Sequence, residues 1–285
     1  MKEFTGRMLK NRQHKYSSNV ALCIQALNTR MKMLYSMPLF WVSVILIAVL
    51  YFTAPLYMLN SEQMLSIAET MIQIDRQQLM IIPNYSGWHV MLCGTGSWFR
   101  LFVPVLAAFP VVTLYREESV NGFRKSVLAR LSRNAYSSSY LLFAAISGAM
   151  MLTVAYILFA VLVYLYFPSY ASYGGAIYET EGMLVKAVVQ TAGWNMAYGA
   201  FWSVFVFSFS EIIKNRYLGL GIPFILKYLW SETAKKQEWK YMPDELLSMG
   251  REFAGSIVIF FVVLAVLLIT VYKTTFYLRR DCSEQ

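Results

Sequence analysis

Residues 39–52 read LFWVSVILIAVLYF. They form the centre of a stretch from Met33 to Leu59 that holds no charged residue. About 20 apolar residues are enough to carry a helix across the hydrocarbon core of a bilayer, so this stretch decides the class. A soluble core helix has no need of so long an uncharged run. Working outward, four further runs repeat the signal: Ser97 to Tyr115, with Arg100 near one end; Tyr140 to Phe167; Ala187 to about Ser210; and Phe253 to Tyr272. Tyr217 to Trp230 is shorter and holds Lys227. The whole chain agrees, since 58% of its 285 residues are hydrophobic and only 14% charged, against about 25% charged in soluble domains.

The net charge of +9 would suggest nucleic acid in a soluble protein. Here the basic residues lie between the apolar runs, where they orient a membrane protein. With six spans and the N-terminus inside, 17 of the 25 basic residues face the cytoplasm and 8 the outside, while the acids divide 6 to 10. Omitting the fifth span would leave Arg279 and Arg280 outside. Six spans with both termini cytoplasmic are therefore expected, at approximately 33–59, 97–115, 140–167, 187–210, 217–230 and 253–272. Pro223, Gly219 and Gly221 make an irregular fifth helix natural. No cleavable leader is expected, because the first apolar run begins too far in and is too long.

Three segments between or before the spans carry information. Residues 1–32 are a cytoplasmic segment in which Ser18 or Asn19 caps a helix. Val20, Ile24, Leu27 and Met31 fall on one face of it, as on a helix lying on the inner membrane surface; a solvated basic tail is the alternative. The external loop 60–96, with Pro83, Gly87, Gly94 and Gly96, is expected to form a small subdomain. Residues 231–250 are polar, contain Pro243, and are expected to form a second external loop.

The cytoplasmic loop 116–139 reads REESVNGFRKSVLARLSRNAYSSS. Phe123, Val127, Leu128 and Leu131 make a helical apolar stripe, with Arg124, Lys125 and Arg130 elsewhere on the surface. Such a helix lies on lipid or docks into a groove of a soluble partner; a plain solvated loop is the bland alternative.

At this loop the chain resembles the permease subunit of ABC-2 type ABC transporters, including small bacterial permeases of bacteriocin immunity and peptide export. Glu118, Gly122, Phe123, Leu128, Ser132 and Arg133 occupy the places of that family's loop pattern. Leu131 stands where a Pro commonly precedes Ser-Arg, and Ser139-Tyr140 where a Lys often opens the third span. The resemblance implies an all-α membrane protein of ABC-2, type V exporter-like architecture in the plasma membrane. It also implies a second permease subunit, identical or related, and two copies of a separate ABC ATPase that binds ATP and Mg. The loop would be the coupling helix, with Glu118, Gly122, Phe123, Val127, Leu128 and Leu131 transmitting ATPase movement. Glu118 would pair with basic residues of the same loop or of the partner; an ordinary surface carboxylate is the bland alternative.

The chain itself carries no GxxxxGK[ST] phosphate loop. Its two histidines, His14 and His89, fall on opposite sides of the membrane in this topology. Cys23, Cys93 and Cys282 have no metal-ligand spacing. No catalytic residue, metal site, cofactor or nucleic-acid partner is therefore expected. The spans hold no carboxylate except Glu211 at the inner end of the fourth, and the midplanes read as neutral, which weighs against an ion-coupled carrier. Trp194, Asn195, Tyr198 and Trp202 are the candidate lining of a path for a hydrophobic or amphipathic cargo such as an antimicrobial peptide, although aromatics also simply pack helices. Ser147, Gly148 and Ala149 permit close helix contact. The expected function is the permease half of an ATP-driven exporter. The alternatives are a membrane sensor or assembly factor without transport, and a secondary transporter.

Overall fold

The computed structural model describes residues 21–60, 63–79, 87–92, 95–122, 127, 133–167, 181–212, 216–237, 244, 264–265 and 269. These are mostly helical. Helix α1 spans Ala21–Ser36 and meets α2 (Pro38–Tyr51) at a bend of 69°. The bend has a local cause. Pro38 occupies the first turn of α2 and forces Met37 into extended geometry, with φ −78° and ψ 124°. The apolar run continues to Leu59, but the helix stops at Tyr51. Pro55 cannot donate to a continuing helix, and the chain turns instead into a hairpin of β1 (Pro55–Asn60) and antiparallel β2 (Gln63–Ser66). The apolar run is thus longer than the helix α2 that it contains.

Short helices α3 (Ile67–Gln73), α4 (Arg76–Leu79) and α5 (Gly87–Met91) follow the hairpin. Ser66 starts α3 through a reciprocal capping box. Its hydroxyl accepts from the Glu69 amide, and the Glu69 carboxylate accepts from the Ser66 amide at 2.7 Å. Ile67, Ile74, Leu79, Val90 and Met91 are buried and join the main core. The Tyr166 hydroxyl donates to the Met71 carbonyl at 2.7 Å. The described parts of the loop 60–96 are therefore built onto the helices.

Four long helices complete the bundle: α6 (Ser97–Val120), α7 (Arg133–Tyr166), α8 (Glu181–Ile212) and α9 (Arg216–Lys236). Helix α7 packs along α8, and α6 packs on both; α2 lies against α6 and α7, and α9 against α6 and α8. The α7–α8 crossing is very close. A Cβ on Gly148 would stand 2.3 Å from the Gly199 carbonyl oxygen, and one on Gly199 the same distance from that of Gly148. Gly148 was legible as a contact residue; its partner Gly199 was not singled out. Helix α9 runs on to Lys236, so the first part of the expected loop 231–250 is helical. Leu264 and Ile269, from the sixth apolar run, pack against the core; apart from Ala265, the rest of that run lies outside the described residues.

The exposed faces are as apolar as the buried ones. On α2, Phe40, Val44, Ile47, Ala48 and Tyr51 are buried, while Trp41, Val42, Ile45, Leu46 and Val49 are exposed. On α7, Leu142, Ile157, Val161, Leu162 and Leu165 are exposed. A helix on the surface of a soluble protein turns a polar face outward. Continuous apolar stripes on several helices suit contact with lipid. Among the described residues, Ser97–Val120 and Ala135–Tyr166 are long and apolar enough to cross a membrane, and the bent pair α1–α2 is a third if taken as one span.

Candidate functional site

The root of the 116–139 loop is a buried ionic joint. Glu118, near the end of α6, receives the Arg30 Nε of α1 at 3.2 Å, and both side chains are almost fully buried. Arg30 Nη1 donates to the Ser139 hydroxyl at 2.7 Å, and that hydroxyl donates in turn to the Tyr136 carbonyl. The guanidinium lies 3.7 Å from the ring centroid of Tyr140 and 5.1 Å from that of Tyr136. One arginine therefore ties α1 to the last turn of α6 and the first turns of α7, the two helices that bracket the loop. A charge in this setting persists only because a carboxylate, a hydroxyl and two ring faces replace its water.

Among the described residues the cation of Glu118 comes from α1; Arg124, Lys125 and Arg130 of its own loop lie outside them. Of the apolar face expected on α1, Leu27 and Met31 pack against the core. Cys23, Leu27, Arg30 and Leu34 turn toward the bundle, whereas Ile24 is 60% exposed. The expected stripe avoided Arg30 because a charge was assigned to solvent, yet the same helical spacing passes through it. The Cys23 thiol donates to the Ala135 carbonyl at 3.1 Å, and burial pushes its pKa up despite the nearby Arg30 charge.

Helix α6 ends at Val120 with Asn121 as its C-cap, and Gly122 follows with φ +70°, the left-handed conformation that stops a helix without a Cβ penalty. No neighbouring atom would obstruct a side chain there, so the backbone conformation alone explains the glycine. Of the expected coupling stripe, Val127 is half-buried and packs against the bundle core; Phe123, Leu128 and Leu131 lie outside the described residues.

The expected cargo path is packed. Tyr198 and Trp202 are fully buried, Asn195 nearly so, and Trp194 half-buried. The Asn195 amide oxygen accepts from the Tyr51 hydroxyl at 2.8 Å. Trp202 is enclosed by Phe201, Phe205, Tyr198 and Trp230. Among the described residues these side chains pack helices against one another.

A second buried pair stands near the other end of α6. Lys227 of α9 approaches the Asp244 Oδ2 at 3.3 Å and donates to the Arg100 carbonyl. The Tyr198 hydroxyl donates to Asp244 Oδ1 at 2.9 Å. Arg100 and Glu118 lie 18 residues apart on one helix, about 27 Å at 1.5 Å per residue, close to the thickness of a hydrocarbon core. The bundle interior is thus not free of charge. A lysine inside an otherwise apolar run was the signal, because such a residue is normally paired and functional. Among the described residues no group of three His, Cys, Asp or Glu side chains could hold a metal ion.

The described fold defines a mostly helical protein with two or three helices suited to crossing a membrane. Comparison with protein-family models, curated proteins and solved structures finds no match.

Proposed function

We propose that this chain is the six-span permease subunit of an ATP-driven ABC exporter of the ABC-2 type. It would work with a second permease and with two copies of a separate ATPase that carries the ATP and Mg. The observation that carries the reading is the anchored root of the 116–139 loop. A coupling loop must pass a push from a soluble motor to membrane helices without bending at its base. The Arg30–Glu118–Ser139 joint locks that base to α1, α6 and α7 together, and Gly122 turns the chain out of α6 immediately before Phe123. The apolar outer faces suit a bilayer, and the cytoplasmic orientation of the loop follows from the 17-to-8 division of basic residues. The cargo class is hydrophobic or amphipathic.

Mild-detergent purification of the tagged chain from its native membrane tests this. A soluble ATPase with a phosphate loop is expected to co-purify in equal amount, and hydrolysis is expected only in its presence. Robust hydrolysis by the chain alone would remove the assignment.

One observation favours a second reading, an ion-coupled secondary transporter. Lys227 and Asp244 are buried ionisable groups of the kind such carriers use. Cargo movement that survives ATP depletion and stops when an ionophore collapses the ion gradient would select it. A sensor or assembly role draws no specific support from the geometry.

A further inference from the structure

Helix α6 carries two prolines inside its 24 residues, Pro104 and Pro110. A proline in a helix interior has no amide to give the carbonyl four residues before it. For Pro104 that carbonyl belongs to Arg100, and for Pro110 to Leu106. In a bilayer such a carbonyl has no water to turn to, and a neighbouring helix or side chain has to serve it. At Arg100 the Lys227 ammonium of α9 does so, donating to that same carbonyl. Asp244 balances the ammonium at 3.3 Å, and Lys227 is only 5% exposed. The lysine that interrupts the fifth apolar run thus stands where the proline break in α6 lacks a donor. The first turns of α6 are joined to α9 in a second way. The Trp98 ring stacks on Phe102 at 6.0 Å, and Phe102 on Phe224 of α9 at 6.4 Å. The far end of α6 is joined to different helices, since Glu118 is bound by Arg30 of α1, which also reaches Ser139 of α7.

We propose that Lys227 replaces the backbone donor that Pro104 removes, and that α6 is articulated at this point: the turns before Pro104 move with α9, and the rest of the helix moves with α1 and α7. An unbroken ladder of hydrogen bonds would make α6 a single rod. Proline is the commonest cause of a sharp bend in a helix, and Pro110 removes a second ladder bond between the break and Glu118. A buried carbonyl left unserved would cost its full desolvation penalty. The ammonium removes that cost without restoring the stiffness of a ladder bond. Lys227 then has a use that needs no ion to cross the membrane. That an ATPase drives the articulation rests on the exporter reading; the articulation itself does not.

A double-mutant cycle on the purified full chain tests the cap. Lys227→Met/Asp244→Asn removes both charges together and leaves the Arg100 carbonyl without its ammonium, while the new amide can still accept from Tyr198. In the parent these two substitutions are expected to lower the unfolding midpoint by several degrees. In Pro104→Ala the restored amide takes the Arg100 carbonyl back into the helix, and the same two substitutions are expected to cost little. If they prevent folding in the parent, recovery of folded protein on adding Pro104→Ala reads the same coupling by size-exclusion chromatography. An equal fall in both backgrounds, or no recovery, would overturn the proposal. The articulation is read by spin labels on Ser97→Cys and Val120→Cys, with the chain's own cysteines replaced by serine. Both positions are exposed, and they are about 35 Å apart along a straight helix at 1.5 Å per residue. The parent is expected to give a broad distance distribution in lipid nanodiscs, and Pro104→Ala a narrower one. Identical distributions would overturn the proposal as well. Narrowing by Pro104→Ala in a chain that acquires no ATPase partner would keep the articulation and discard the exporter.

Discussion

Glu118→Gln is the sharpest perturbation of the joint that α1 makes with the bundle. The substitution keeps the side-chain volume and removes only the charge. It leaves Arg30 2% exposed, with Ser139 and two tyrosine rings as its remaining neighbours. Removing one partner of a buried ion pair costs about 3–5 kcal/mol. The ring faces remain, and a desolvated cation–π contact contributes about 2 kcal/mol, so the lower end applies: about 3 kcal/mol, roughly a hundredfold in the docking equilibrium of α1. Thermal unfolding in detergent and limited proteolysis near α1 both read this. The double variant Arg30→Met/Glu118→Gln carries no orphan charge and is expected to recover most of the loss. If Glu118→Gln matched the parent in both assays, or if the double variant were worse than either single one, the ion pair would not be holding the helix and the argument would fail.

Three further outcomes are expected. Gly148→Ala puts a methyl 2.3 Å from the Gly199 carbonyl oxygen and should cost about 1–3 kcal/mol through forced separation of α7 and α8. Gly193→Ala, where an added Cβ meets nothing within 4 Å among the described residues beyond its own helix backbone, should be neutral or slightly stabilising, and unfolding midpoints compare the two. The Ser66 amide and hydroxyl hold the Glu69 carboxyl below its ordinary value of 4.5. Its folded pKa is thus lower than its unfolded one, so the parent's advantage over Glu69→Gln should be present above about that pH and vanish as pH falls through the lowered value, read by unfolding against pH. Cysteines placed at Ser66, Gly175 and Lys236 should react with an impermeant reagent on intact cells, and those at Lys10, Lys125 and Arg280 should not; labelling at Lys125 would invert the topology.

The sequence marked the helices by their apolar runs, and α6 and α7 lie where those runs place them. It misjudged the ends where proline and tertiary contacts intervene. Pro38 and Pro55 cut the first run at both sides, though hydropathy alone reads straight through them. The two ion pairs were hidden for a shared reason. Arg30 was counted with the cytoplasmic charges and Lys227 as an interruption of the fifth run, and their carboxylates lie 88 and 17 residues further along the chain, a distance no local pattern spans. The loop pattern nonetheless pointed to Glu118 and Gly122, whose structural roles are a buried anchor and a helix stop. The aromatic set around Trp202 was legible as a cluster, but composition does not separate packing from lining.

The central claim is that the 116–139 loop passes motion from an ATPase to the membrane helices. ATP hydrolysis and cargo movement measured together, on the co-purified complex in vesicles, test it most directly with Phe123→Ala and Arg124→Ala. Truncating an apolar anchor costs about 2 kcal/mol or more at an interface, roughly thirtyfold in affinity, whereas an exposed charge contributes about 0–1 kcal/mol. The account predicts that Phe123→Ala releases the ATPase or separates hydrolysis from transport, while Arg124→Ala changes little. Unchanged coupling in Phe123→Ala together with its loss in Arg124→Ala would contradict it, and would make the loop an electrostatic membrane-surface segment.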